Sequence, residues 1–542
     1  MAQLSTRPNG PTGAPGAFPP TIELQNVIGG ERCGSRSGAR LDARSACNED
    51  DLVGTMPDSD PDDVRLACEA AQAAFQTWSK TPAPVRGEII GRVGVLLRRH
   101  KETLSRVVCR EIGKTMREAR GEVQEAIDTA AFFQSEGRRL YGQTVYSEMP
   151  NKELFTYRRP IGVAAMITAG NFPIAVPSWK IIPALVCGNT VVWKPSEDAP
   201  VIAYLFSRIM SDAGLPAGVV NVVFGTGPKA GAGVLNAVEA GLIQKVSFTG
   251  STEVGRRVGE VCGRNLQVPS LELGGKNPMV VMADADLDLA VEGALFAGYG
   301  TGGQRCTSLG NLILDRPIAT EFKRRLLERL RNIRIGDPTR SEEVLYGPLI
   351  ADRFYKRFMK HFDMQLGTDA RNLLDAAGRI GPDNRPDGFV GDPRKGYYVF
   401  PALWEGVRIE DPLAQTEVFG PTVNVIEVNG FEEALAAANG TPYGLSSAVY
   451  TRDPSAILAF KNGITAGMTS VNNTTSGAEA HLPFGGNGWS GNGTRESGIW
   501  VLEAYTRWHA VNEDLAGRLQ LAQIDVDFGE DREPTDFSVL EA

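Results

Sequence analysis

Three short stretches hold side chains able to act together on a carbonyl. GTGGQRCTSLGN (300–311) carries Cys306 in a glycine-rich loop next to Arg305. A cysteine in a protein interior is ordinarily an inert small hydrophobe. A thiol beside a cation in a loop that allows close approach can instead ionise and act as a nucleophile. SLELGGKN (270–277) places Glu272 between two leucines just before a double glycine. In an extended strand the leucines fall on the opposite face. A carboxyl aimed into an apolar-walled cleft has a raised pKa, which suits a general base near neutral pH; the alternative is a solvated strand residue. TAGNFP (168–173) carries Asn171, whose amide N–H can donate to a developing oxyanion.

A second group of stretches suits an anion and a sugar. In SFTGSTEVG (247–255) a β-type run ends at Gly250, and Ser251 and Thr252 open a helix. Free N–H groups and the helix dipole at such a start favour a phosphate, although an ordinary Ser/Thr cap reads the same way. VVWKPSED (191–198) puts Lys194 and Glu197 after a strand, and Pro195 keeps Lys194 out of helical conformation. The pair suits phosphate or ribose, or plain solvation. GTGPKA (225–230) fits the dinucleotide pattern G-x-G-x-x-G/A after an apolar run, but Gly-x-Gly is common in tight turns.

The elements that must position these residues follow from periodicity. Helices are predicted over 60–78, with Asp60 as cap and Pro61 in the first turn, and over 86–113 and 117–140 in the same register. From residue 160 short apolar runs alternate with helical segments: IGVAAMITA, a helix from about 175, NTVVWKPS, VIAYLFSRIMSDAG, GVVNVVFG, a helix near 230, KVSFTGS, VGRRVGEVCG and SLELGG. Such alternation predicts a parallel sheet with crossover helices, hence an α/β fold. A second cycle starts at NPMVVMADAD and runs to about 484, with helices at 286–299 and 318–333. The chain ends of several strands thus meet the candidate residues, which is where ligands bind open α/β sheets.

Composition narrows the class. A chain of 542 residues is too long for one ordinary core. With 42% hydrophobic and 22% charged residues it reads as globular, and its net charge of −9 argues against nucleic acid or an anionic membrane as main partner. The seven cysteines form no CxxC pair and the four histidines are scattered, so neither a disulfide framework nor a metal site is expected. The first residues lack a secretory apolar core, and later apolar runs are broken by Asn and Pro; the cytoplasm is the expected location.

GNFP (170–173), WKPSE (193–197), FTGSTEVG (248–255), LELGGKNP (271–278), GQRCT (303–307), EVFGP (417–421) and PFGG (483–486) occur in the order and spacing of the NAD(P)-dependent aldehyde dehydrogenases, which the chain resembles from about residue 25 to 510. The resemblance implies that family's fold: a Rossmann-like cofactor domain (23–142 and 161–274), an α/β catalytic domain (275–486), and a small β oligomerisation element (143–160 and 487–515). It leaves a disordered segment over 1–22 and an acidic tail over 516–542 outside. It implies a homodimer or homotetramer. It implies that Cys306 attacks the aldehyde, Asn171 and the Cys306 N–H hold the oxyanion, and Glu272 activates the hydrolytic water. Cofactor contacts are implied for Ile167, Thr168, Lys194, Ser196, Glu197, Gly227, Phe248, Gly250, Ser251, Val254, Leu273, Gly274, Glu417 and Phe419. The FTGS helix start then replaces GTGPKA as the main phosphate site, with Gly227 near the adenine end. Glu197 should repel the 2′-phosphate of NADP, so NAD is the expected cofactor.

GEVQE (121–125), GQRCT and TSGAE (475–479) further resemble the antiquitin group, which oxidises aminoadipate semialdehyde. On that resemblance Glu125, Arg305, Thr307, Phe172, Gly477 and Ala478 surround the substrate, and a carboxylate-bearing semialdehyde is expected. WKPSE follows the general aldehyde dehydrogenase pattern, from which antiquitins depart after the lysine. Two competing functions are a CoA-acylating semialdehyde dehydrogenase, whose group shares GQRC but lacks the glutamate base, and a non-enzymatic crystallin-like protein. Glu272, Cys306 and Asn171 are all present, which favours hydrolytic oxidation.

Overall fold

The structure is a computed structural model that describes residues 20–364, 367, 369–524, 526 and 537–540. Most of the expected N-terminal segment (1–19) and part of the acidic tail (525, 527–536 and 541–542) lie outside the described residues. The first strand, Ile22–Glu23, pairs with Gly54 and Thr55.

Four helices lead in. α1 (Pro61–Trp78) opens with a full capping box: Asp60 accepts from the N–H groups of Asp62 and Asp63, and Asp63 accepts from the N–H of Asp60. Such a cap stabilises a helix start by about 1 kcal/mol. The predicted helix 86–113 is two helices, α2 (Ala83–Arg99) and α3 (Lys101–Ile112), broken at His100. α3 ends at Gly113, whose left-handed φ of 69° closes it. α4 (Met116–Glu136) is capped by Thr115.

A seven-stranded sheet follows, in the order Ser270–Glu272, Lys245–Thr249, Val163–Ile167, Thr190–Lys194, Val220–Val222, Asn26–Ile28, Glu31–Cys33. The first five strands are parallel and the last two antiparallel. Their runs are apolar and buried on both faces, as crossover helices require. Those helices are α5 (Ala175–Val186), α6 (Pro200–Asp212), α7 (Ala232–Glu239) and α8 (Thr252–Arg264). Val163–Ile167 lies centrally, with later strands added on both sides, so a crevice forms beyond its carboxyl end.

A second seven-stranded sheet, parallel but for one edge strand, runs Arg371–Asn372, Ala402–Glu405, Thr422–Val428, Leu309–Asp315, Asn277–Val281, Ser446–Tyr450, Met468–Val471. α9 (Leu287–Tyr299) and α10 (Arg316–Arg331) flank it. Only four residues separate Glu272, at the end of the first sheet, from Asn277, at the start of the second. A separate antiparallel sheet joins Thr144–Tyr146, Lys152–Pro160 and Thr506–Asp514.

Candidate active site

A cavity of about 1270 Å³ opens where the two sheets meet. Cys306, Glu272 and Asn171 all line it. So do Gly250, Ser251, Val254, Leu273, Gly274, Glu417 and Phe419 among the expected cofactor residues, and Phe172, Glu125, Arg305, Thr307, Gly477 and Ala478 around the expected substrate position. Ile167, Thr168, Lys194, Ser196, Glu197 and Phe248 stand at neighbouring strand ends but outside its lining. Gly227 also lies outside it. The GTGPKA turn makes one π-helical turn (Gly227–Gly231) leading into α7, and its Lys229 pairs with Asp58.

The Cys306 loop is tightly shaped. Thr301, Gly302 and Gly303 are all left-handed, with φ of 53°, 61° and 69°. A Cβ at Gly303 would run into the carbonyl of Gly420, so only glycine fits there. Thr301 is a non-glycine in this strained region, and its hydroxyl explains why: it donates to Glu118 Oε1 (2.9 Å) and accepts from Arg305 Nε (3.0 Å). Gln304 anchors the loop by donating to the carbonyl of Thr301 and accepting from the N–H of Ile350. Asn277, at the head of the next strand, donates to the carbonyls of Cys306 (2.8 Å) and Ser308 (2.7 Å). The Asn171 amide donates to the Gln304 carbonyl at 2.9 Å, which fixes its plane and leaves its second N–H for a ligand.

The electrostatics correct one expectation. Adjacency in the chain suggests that Arg305 could supply some of the charge that ionises Cys306. Its guanidinium instead pairs with Glu118 at 2.6 Å and lies over the Phe296 ring at 4.6 Å. Burial pushes the Cys306 thiol up to about 12, with the nearby carboxylates of Glu417 and Glu272 adding to the effect. Apolar neighbours account for the burial: Phe172, Val176, Trp179, Phe484 and Ala478 pack as one cluster with the cysteine. The thiol is therefore protonated at neutral pH in this state.

Glu272 is not a solvated strand residue. It is buried, and burial raises its pKa well above the carboxylate range; the charge of Glu496 raises it further, against Lys180 and Arg495. Neither of its oxygens takes a hydrogen bond from the described residues. Beside it lies a buried ion pair that the sequence reading missed: Lys180 Nζ to Glu496 Oε1 at 2.7 Å, with Ser247 bonded to both. Helical spacing gives a signal for part of this wall, since Phe172, Val176 and Lys180 recur at i, i+4, i+8. Nothing local marks Glu496, 316 residues from its partner.

α4 forms the opposite wall. Burial pushes Glu125 up to about 8, aided by the charge of Glu122, and one of its oxygens is unpartnered. Burial would also raise Glu118, but Arg305 and Lys114 more than offset it and hold it low. Lys114 and Glu122 form a fully buried pair at 2.6 Å, and Glu122 also accepts from the N–H of Ile174 at the start of α5.

The remaining cofactor candidates fit a dinucleotide. Ser251 caps α8 by accepting from Val254 N, leaving the exposed first turn of that helix facing the cavity. Lys194 Nζ bonds Glu197 at 3.0 Å, and that lysine, with a smaller share from Arg353, more than offsets the burial that would raise the Glu197 carboxyl. Glu417 accepts from Gly275 N (3.1 Å) and pairs with Arg357 (2.9 Å); a Cβ at Gly274 would collide with its carboxylate. Phe419, at φ 60°, packs its ring on Phe354.

The aldehyde dehydrogenase family model matches residues 35–511. The chain belongs to the aldehyde dehydrogenase family. It is 37% identical over 490 residues to an alpha-ketoglutarate semialdehyde dehydrogenase of Haloferax volcanii, covering 90% of this chain and 98% of the relative. It is 33% identical over 481 residues to the NADP-dependent succinate-semialdehyde dehydrogenase of Escherichia coli, covering 89% and 96%. Among solved structures, betaine aldehyde dehydrogenase of Staphylococcus aureus in complex with NAD+ superposes with a TM-score of 0.86 at 28% identity, covering 92% and 96%. This aldehyde dehydrogenase is an NAD(P)-dependent enzyme on the family's α/β fold. None of its helices, among the described residues, is long and apolar enough to cross a membrane.

Proposed function

We propose that this aldehyde dehydrogenase oxidises a short, carboxylate-bearing semialdehyde to the dicarboxylic acid, with NAD as the preferred cofactor. The observation that carries the reaction is the convergence of Cys306, Glu272 and Asn171 on one cavity whose wall includes the α8 start. Cys306 Sγ gives up its proton to solvent and bonds to the aldehyde carbon; the C=O π bond opens, and the oxygen takes the negative charge against Asn171 Nδ2 and the Cys306 N–H. NAD(P)+, when bound, accepts the hydride lost from that carbon. Glu272 takes a proton from the water that attacks the resulting thioester; the C–S bond breaks and the acid leaves. The presence of Glu272 supports hydrolysis over transfer to CoA. The ionised Glu197 supports the preference for NAD, through repulsion of a 2′-phosphate. The exposed Tyr146 and Trp508 of the separate three-stranded sheet support self-association.

The substrate class draws on the relatives, whose names specify alpha-ketoglutarate and succinate semialdehydes. The test is NADH formation with a panel of carboxylated and uncharged aldehydes, with and without CoA. Turnover strongest on a carboxylated five-carbon semialdehyde, independent of CoA and lost in Cys306→Ala, is expected. Retained activity in Cys306→Ala would overturn the mechanism, and a CoA requirement would overturn hydrolysis.

A further inference from the structure

A carboxylated substrate needs a cation in the cavity whose charge is not already used. Toward the sulfur, Lys180 is held by Glu496 and Arg305 by Glu118. On the cofactor side, Arg353 is held by Asp198 and Arg357 by Glu417. Further out, Arg329 pairs with Glu292 and Arg334 with Glu343. Arg117 is different. It lines the same cavity, it is exposed, and among the described residues it has neither an ion-pair nor a hydrogen-bond partner.

Its position argues against a merely local role. Arg117 lies in the first turn of α4, where the helix dipole disfavours a cation. Nothing in that turn compensates it, because Glu118 turns inward to Arg305. The helix face it shares leads into the cavity. Arg117, Gly121 and Glu125 recur at i, i+4, i+8, and all three line the space. That spacing spans about 12 Å of helix. Gly121 leaves the middle of this face bare, since a Cβ there would meet nothing within 4 Å. An open track thus joins a free guanidinium at the solvent side to Glu125 deeper in. Both carboxylates of the cavity that lack a cation partner, Glu125 and Glu272, are shifted toward their neutral forms. The other carboxylates of the lining are each paired with a cation, Glu118 with Arg305, Glu122 with Lys114, Glu342 with Arg120, Glu343 with Arg334, Glu417 with Arg357 and Glu496 with Lys180.

We infer that Arg117 is the specificity-determining residue that receives the substrate's distal carboxylate at the mouth of the cavity, with Arg305 serving as the structural partner of Glu118. The inference rests on the proposed substrate class. The clean comparison is 5-oxopentanoate against pentanal, which differ by a carboxylate in place of a methyl group, measured as kcat/KM in the wild-type enzyme and in Arg117→Gln and Arg117→Lys.

Wild type is expected to favour 5-oxopentanoate. Arg117→Gln should lower that preference by about 10- to 100-fold, the usual worth of hydrogen bonds to a charged group, through KM more than kcat. Arg117→Lys should recover part of it, and added salt should erode the preference in wild type but not in Arg117→Gln. A wild-type preference that survives intact in Arg117→Gln overturns the role of Arg117 and leaves the substrate class standing. A wild type without preference overturns both. Because Arg117 is exposed and unpartnered, its replacement leaves no buried group unpaired, so loss of fold does not confuse the result.

Discussion

Glu496→Gln separates the electrostatic tuning of Glu272 from its mere presence. The carboxylate of Glu496 raises the Glu272 pKa, while Lys180, bound to Glu496 at 2.7 Å, lowers it. The amide is isosteric and still accepts from Lys180 and Ser247. It removes a negative charge beside Glu272 and leaves the Lys180 charge uncompensated, so both changes push Glu272 down. A charge a few ångströms away moves a carboxyl by about 1–3 pH units. Glu496 already shares its charge with Lys180, which argues for the lower part of that range. A fall of about 1–2 pH units, or about 1.4–2.7 kcal/mol, is expected.

In the proposed mechanism Glu272 acts in its deprotonated form, so a lower pKa moves the acid limb of hydrolysis to lower pH. The same change makes it a weaker base, so the high-pH plateau should fall severalfold. The assay is rapid mixing of enzyme, NAD and aldehyde across pH. The NADH burst reports formation of the thioester and the later steady phase its hydrolysis. An acid limb that stays in place, or moves to higher pH, in a variant that melts within a few degrees of wild type would refute the argument.

Three other outcomes follow from the same structure. Alkylation of Cys306 by iodoacetamide in the cofactor-free enzyme should keep rising about tenfold per pH unit to pH 10 and beyond, because the thiol is pushed up to about 12; a plateau below pH 8 would contradict this. Glu197→Gln should raise the kcat/KM ratio of NADP to NAD at least about tenfold, by removing a charge held ionised beside Lys194. Lys114→Met should destabilise the fold by about 3–5 kcal/mol in denaturant titrations, since it strands the buried Glu122 that bonds the start of α5; adding Glu122→Gln should return part of the loss.

The residues legible in the sequence share a property: their neighbours in the chain are the ones that position them. Cys306 sits in a loop shaped by its own glycines, Glu272 at the end of a run whose alternation can be counted, and the α1 start at Asp60 in a local capping box. The break at His100 was not legible. RRHKE contains neither Gly nor Pro; both helices pack on α4, but α2 also meets α5 while α3 meets the strand Arg40–Ser45, so the break follows from tertiary packing. The partner of Arg305 was also hidden. Its adjacency to Cys306 in the chain suggested that its charge serves the thiol. The fold turns the side chain to Glu118, 187 residues away. Spacing along α4 would have marked Glu118, Glu122 and Glu125 as one face, but it could not say which of them an arginine neutralises.

The proposed mechanism needs a thiolate, and the groups that hold the proton on Cys306 explain why the thiol is protonated here. After burial, the two contributions that raise Cys306 are Glu417, tied to Arg357 and Gly275, and Glu272, the proposed base of the later step. One belongs to the expected cofactor site and the other to hydrolysis, so the nucleophile is coupled to both. Any cation that binds between Glu417 and Cys306 must lower the thiol pKa, and by linkage it must bind the thiolate form more tightly by the same factor. Each pH unit by which saturating NAD shifts the alkylation profile therefore equals a tenfold gain in affinity for the ionised enzyme. The low reactivity of the free thiol and the tight hold on the cofactor in the reactive form are then two readings of one coupling. Glu417 and Glu272, and not Arg305, are the charges that act on the sulfur.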